Sequence, residues 1–310
     1  MQDPCPVKIR GLIPSLNTPF NAVGELDAGS LRRVVDYTAD QGCAGLLAIA
    51  VAGETRSLTA REVDTISAIV VEQANARLPV ILGVSADDQD ERLRRATRAR
   101  ALGADGILCQ APDAPDAETR AEWLTAIADA GPNLLMVQDL DWSGPGLALD
   151  EIVALFDAIP QFQCLKIEVV PAGPKYSAVL EATGGRLHVS GGWAAAHMMD
   201  AMARGVHALM NTEFEPVYGA IYRLYMAGQV DEAYGLFERL LPILVFTHQH
   251  LDVSIRFHKM QRHKNGIFAT DVCRPPTRAL DPVQQAEAER YLAVAQDLMR
   301  EAPKLEEALL

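Results

Sequence analysis

The chain has 310 residues, 49% hydrophobic and 22% charged, a balance that excludes a disordered or collagen-like protein, and no apolar run reaches the ~18–20 residues of a membrane-spanning helix. A net charge of −13 argues against nucleic acid and anionic membrane as partners, because both are gripped by clustered Lys and Arg, but it leaves room for an anionic small molecule. The five scattered cysteines show no CxxC spacing and read as reduced thiols of a cytoplasmic protein, and MQDPCPVKIRG lacks the basic-then-apolar pattern of a secretory leader.

From residue 7 the chain alternates between short apolar runs and segments of helical period. VKIRGLIPS (7–15) reads as a strand, and DAGSLRRVVDYTADQG follows with Leu31, Val34 and Val35 on one helix face. AGLLAIAVAG (44–53) is a second strand, followed by a helix with Val63, Ile66, Ile69 and Val70 on one side and Thr55 or Thr59 as its cap. LPVILGV, ADGILCQ, NLLMVQD, QCLKIEV, RLHVSG and VHALMN continue the strands, each separated from the next by a helical segment; the one after RLHVSG is WAAAHMMDAMARG, 193–205. The strands are continuously apolar, as expected when both faces are covered. Eight strand–helix units of this kind predict a parallel α/β protein that closes best into a (β/α)8 TIM barrel; no GxGxxG follows the first strand to favour an open dinucleotide-binding sheet. Residues 214–310 read as helices only. The barrel, with its eighth helix, is expected over 1–228 and a C-terminal helical extension over 229–310.

One strand is chemically odd. QFQCLKIEVV (161–170) puts Lys166 and Glu168 inside an apolar run, although charged groups are rarely buried unless paired. Strand alternation gives Cys164, Lys166 and Glu168 one face and Leu165, Ile167 and Val169 the other. With the aliphatic set against outer helices, the amine and carboxylate turn inward near the strand's C-terminal end, the rim where barrel active sites are built. Desolvation there disfavours the ammonium and frees the amine to attack a carbonyl and form a Schiff base, with Glu168 holding it or moving protons. The same two residues are also compatible with a buried ion pair that has no chemistry.

GLIPSLNTPF, AVAGETRSLT, VILGV, the strand-six lysine and VSGGW, in this order, resemble the dihydrodipicolinate synthase/N-acetylneuraminate lyase family from about residue 8 to beyond 270. These are class I aldolase-type barrels that hold 2-keto acids as a lysine imine. The resemblance implies that Lys166 is the Schiff-base lysine, and that the family's GTTGE carboxylate-binding turn stands here as Ala50-Val51-Ala52-Gly53-Glu54. Both threonines are absent, leaving backbone amides at Val51 and Ala52 to cradle a carboxylate, with Gly53 at the same site. The family's strand-five tyrosine is replaced by Gln138, in Gln138-Asp139, and an amide cannot titrate near neutral pH. The tyrosine relay of the synthases is therefore not present in its usual form. Lys-x-Glu is instead similar to the branch that dehydrates 2-keto-3-deoxy sugar acids such as L-2-keto-3-deoxyarabonate, and it makes Glu168 the candidate acid/base.

The remaining candidates are Ser15 at the end of strand one, Gln138 against the substrate, and Gly191 and Gly192, where a missing Cβ admits a ligand or a tight turn. Asp139 is expected to orient Gln138, bind a substrate hydroxyl or cap a loop, Trp193 to line the pocket or the core, and Lys175 to be exposed or to face an anion. His248, His250, His258 and His263 invite a metal, but His248 and His250 point to different helix faces in the helical tail, and because the lysine itself acts as electron sink neither metal nor organic cofactor is expected. The sequence thus predicts a lyase that dehydrates or cleaves a 2-keto-3-deoxy sugar acid, with a homotetramer implied by the family. Aldol condensation of pyruvate with an aldehyde and a non-catalytic keto-acid-binding barrel remain the competing readings.

Overall fold

The computed structural model describes residues 4–309; the first three residues of the segment read for a leader lie outside them. In chain order the elements are β1 (Gly11–Leu12), α1 (Ala28–Asp40), β2 (Leu46–Ala48), α2 (Ala60–Ala74), β3 (Val80–Gly83), α3 (Gln89–Leu102), β4 (Gly106–Gln110) and α4 (Ala117–Ala130). Then come β5 (Leu135–Leu140), α5 (Leu149–Ala158), β6 (Phe162–Glu168), α6 (Ala172–Ala182), β7 (His188–Gly191), α7 (Met198–Ala203), β8 (Ala208–Leu209) and α8 (Glu215–Met226). Three further helices follow, α9 (Val230–Thr247), α10 (Leu251–Lys264) and α11 (Pro282–Leu309). Contacts divide the chain into two compact units, one formed by residues up to Arg10 with Pro79–Met210, the other by Gly11–Leu78 with the chain from Asn211 onward.

In the first unit, β3 to β8 pair in parallel, each with its successor in the chain. The register places Gln138 beside Lys166 and Lys166 beside Ser190, so these three side chains stand abreast on one face of the sheet. Two of the intervening helices, α3 and α4, start where a side chain takes a free N–H of the first turn: Asp88 accepts from Glu91 N at 2.8 Å, and Asp116 from Thr119 N at 2.7 Å. The expected helix over 193–205 forms only from Met198. Before it, Trp193, Ala194 and Ala195 have φ of 54°, 47° and 61°, a left-handed turn that no sequence preference signals.

In the second unit, β1 is only two residues long against the expected 7–15; on its C-terminal side Pro14 has no N–H to donate to a ladder. Ser15 still bridges to Leu47 in parallel, and its N–H donates to Asn211 O at 2.7 Å. β2 ends at Ala48, since Ile49 turns left-handed (φ 60°) and a 3-10 turn runs over Val51–Gly53. Of the two threonines, Thr59 is the cap of α2, in a reciprocal capping box with Glu62. α8, α9 and α11 pack together through Leu224, Leu236, Leu240, Leu292, Leu298 and Ala302. α11 continues through Pro303 to Leu309, where Glu306 takes the Arg223 guanidinium. Among the described residues no helix is long and apolar enough to cross a membrane.

Candidate active site

Lys166 is 5% exposed, and its Nζ lies 3.2 Å from Glu168 Oε1, so the two charges share one face of β6 as strand parity requires. Glu168 is tethered from two further directions. Gln138, abreast of Lys166 on β5, donates its amide Nε2 to Glu168 Oε2, and the backbone N–H of Trp193 donates to Oε1 at 2.9 Å. Three donors on one carboxylate fix its direction. Gly192 makes this possible: a Cβ there would overlap Glu168 Cγ. The space that glycine opens is thus occupied by the Glu168 side chain. At Gly191, on the opposite face, a Cβ would sit 3.3 Å from the Tyr176 hydroxyl, a buried group whose pKa is raised chiefly by burial.

The segment between β5 and α5 is built as firmly. Asp141 Oδ1 accepts from the N–H groups of Ser143 and Gly144 at 3.1 and 2.9 Å. Asp139, on the outer face of β5, accepts from Leu147 N at 2.9 Å and lies 2.5 Å from Lys175 Nζ, which also donates to the carbonyls of Pro145 and Leu147. Burial raises the Asp139 pKa, and Lys175 opposes that shift. Lys175 is therefore a half-buried strut facing an anion, and Asp139 orients this segment from behind Gln138. The segment presents Trp142, 56% exposed, against the edge of Trp193, with ring centroids 5.1 Å apart. Trp193 Nε1 donates to Val169 O at 3.3 Å.

Below Lys166 on the same sheet face lies His188, whose Nε2 is 2.8 Å from Ile9 O. A carbonyl only accepts, so Nε2 carries the proton, and Nδ1 faces Ser190 Oγ at 3.4 Å. Burial is the main cause that lowers the His188 pKa to about 3. This floor of the site is neutral at physiological pH.

In the second unit, Ser15 Oγ is buried with no partner among the described residues. In the Val51–Gly53 turn, Asn17 Nδ2 donates to Ala52 O at 2.8 Å and Thr18 Oγ1 to Gly53 O at 2.7 Å. Gly53 N and Glu54 N close the turn on Ala50 O and Val51 O. Among the described residues no acceptor takes the Val51 or Ala52 N–H, which leaves these two amides for an anion. Asn17 and Thr18 escape a reading of the sequence, since nothing in NTPF marks them as props for a turn 35 residues away. Trp193's backbone donor escapes for a different reason: it depends on a left-handed turn.

The histidines of the tail do not converge. His248 Nδ1 faces Leu244 O at 2.8 Å, His250 caps α10 through Asp252 N, and His263 Nδ1 faces Phe268 O at 3.1 Å. His258 is buried, its pKa lowered to about 3 chiefly by burial. Among the described residues no group of three or more His, Cys, Asp or Glu side chains is placed to hold a metal ion.

The model of the dihydrodipicolinate synthetase family matches residues 8–295. The chain belongs to this family. Among its relatives, L-2-keto-3-deoxyarabonate dehydratase of Azospirillum brasilense is 28% identical over 93% of this chain and 94% of the relative. A 4-hydroxy-tetrahydrodipicolinate synthase of Marinobacter nauticus is also 28% identical, over 76% of this chain and 82% of its own length. Among solved structures, the 4-hydroxy-tetrahydrodipicolinate synthase of Methylacidiphilum fumariolicum SolV aligns with a TM-score of 0.86 at 20% identity, covering 96% of this chain and 99% of that one. Proteus mirabilis N-acetylneuraminate lyase aligns at 0.84 with 18% identity, over 93% and 99%. The shared fold spans nearly the whole chain. With the family comes the enzyme class expected from the sequence, a lyase.

Proposed function

We propose that the chain forms a Schiff base between Lys166 and a 2-keto-3-deoxy sugar acid and eliminates water from it, with Glu168 as the acid/base. The observation that carries this reading is the 3.2 Å pair of Lys166 Nζ and Glu168 Oε1. The proton balance closes on that pair. Glu168 takes one proton from the ammonium, the amine adds to the C2 carbonyl, Glu168 takes a second proton from the nitrogen of the adduct, and both are delivered in turn to the carbonyl oxygen, which leaves as water. The resulting iminium acidifies C3; Glu168 removes that proton and then delivers it to the departing C4 hydroxyl, and water hydrolyses the unsaturated imine to free Lys166. The lysine is the electron sink, so the reading requires no metal or organic cofactor.

Gln138 supports dehydration over the synthase reaction, because its amide aims Glu168 and cannot itself relay a proton. The substrate carboxylate is assigned to the amides of Val51 and Ala52, with Gly53 closing the turn beside them, and Ser15 is assigned to a substrate hydroxyl or a water. Gly192 belongs to the wall behind Glu168, and Gly191 to the end of β7 that leads into it. The same reading takes residues 1–228 as a closed (β/α)8 barrel and 229–310 as its helical extension, acting in the cytoplasm as a homotetramer; the strand–helix alternation and the relatives' fold support the barrel.

Borohydride added with pyruvate or a 2-keto-3-deoxypentonate should leave a mass adduct on Lys166, and the pentonate should lose water. The Glu168→Gln variant should still be trapped while its turnover falls by about 10²–10⁴-fold, the usual worth of a general acid–base. Normal turnover by that variant would remove Glu168 from the mechanism, and an adduct without turnover in the unaltered chain would mark a keto-acid binder.

A further inference from the structure

The second unit contains an ion pair that the chemistry above does not use. Lys259, on α10, is fully buried, and its Nζ is 2.5 Å from Glu54 Oε1. Glu54 Oε2 accepts from Arg274 N at 2.9 Å and from Thr277 Oγ1 at 3.1 Å. Phe20 lies between two cations, with Lys259 Nζ 4.3 Å and the Arg274 guanidinium 4.0 Å from its ring centroid. Arg274 is itself fixed by a fork to Glu62, at 3.0 and 2.6 Å, and by the Gly24 carbonyl at 2.6 Å. A sealed charge pair is poor evidence of stabilisation, since apolar residues of the same size generally do as well. Its use must lie in what it holds.

What it holds is the residue after Gly53. Glu54 has φ 55° and ψ 37°, a left-handed conformation that a residue with a Cβ adopts only under constraint. That twist closes the 3-10 turn and starts the next one, with Ser57 N and Oγ both donating to Glu54 O at 2.8 and 2.9 Å. The direction in which the Val51 and Ala52 N–H groups point therefore depends on Glu54 staying twisted, and that depends on Lys259. We infer that Lys259 is a positioning residue for the recognition of the substrate carboxylate: α10 reaches the turn through Glu54 and keeps its two amides convergent on an anion. This rests on the Schiff-base reading and adds to it the part of the chain that selects keto acids over neutral ketones.

The test compares borohydride trapping of pyruvate with that of hydroxyacetone, a small ketone without a carboxylate. Because Lys259→Met leaves a buried carboxylate alone, it is paired with Lys259→Met/Glu54→Gln, which removes both charges; folding is verified by circular dichroism and thermal unfolding. The expected result is a half-saturating pyruvate concentration at least tenfold higher in the folded variant, with the saturating pyruvate rate and the hydroxyacetone rate within twofold of the unaltered chain. An unchanged pyruvate half-saturation overturns the inference. Equal loss with both ketones also overturns it, as the sign of a merely structural pair. Failure of the unaltered chain to trap either ketone strikes instead at Lys166 itself, and the inference falls with it.

Discussion

Lys166 and Glu168 are two residues apart on a strand, and the geometry of a strand alone puts them side by side. Their partners matter as much as their spacing. Glu168 would be an ordinary counter-ion if it touched only the lysine; the Gln138 amide and the Trp193 N–H fix which of its lone pairs faces the amine. The tightest tolerance is at Gly192, where any side chain must displace Glu168. Gly192→Ala should therefore fold yet lose activity, with turnover down by about 10²-fold, the cost of misplacing a catalytic group by an ångström. Steady-state kinetics beside a thermal melt checks this: full activity in the variant would show that Glu168 does not need its present position.

Among elements, the two connections that frame Lys166 are rigid for different reasons. The one between β5 and α5 is held by Lys175 and Asp139, whose side chains are 12% and 2% exposed. Removing the cation leaves a buried carboxylate without a counter-ion, so Lys175→Met should cost about 3 kcal/mol, and Lys175→Met/Asp139→Asn should recover much of that loss. Urea unfolding of the four members of this cycle measures the coupling, and additive effects would mean that the pair is decorative. Strand parity makes Lys166 and Glu168 legible in the sequence, and apolar runs alternating with helical ones make the order of elements legible. The left-handed turn at Trp193–Ala195 is not legible, because tryptophan and alanine carry no preference for positive φ; tertiary hydrogen bonding to Glu168 imposes it. The Lys259–Glu54 pair is hidden for another reason: its members are 205 residues apart in the chain.

Across the whole molecule, burial makes the stability depend on pH in a definite direction. His188 and His258 are held neutral, with pKa values lowered to about 3 from an ordinary 6.5, so the unfolded chain binds protons that the folded one refuses. Their contribution is complete above about pH 6.5 and is lost as pH falls towards 3. Between pH 6.5 and 5 each should remove about 2 kcal/mol of unfolding free energy. Denaturant midpoints at pH 7 and 5 test this, and His258→Gln should flatten the slope by its share; an unchanged slope would show that this ring is protonated in the native state. One tether has a longer reach. Trp193 steadies Glu168 through its main-chain N–H, which every residue but proline supplies. Replacing the indole with another side chain that tolerates the left-handed turn should leave that N–H donating to Glu168, so the surface beside the carboxylate can be reshaped while the tether stays in place.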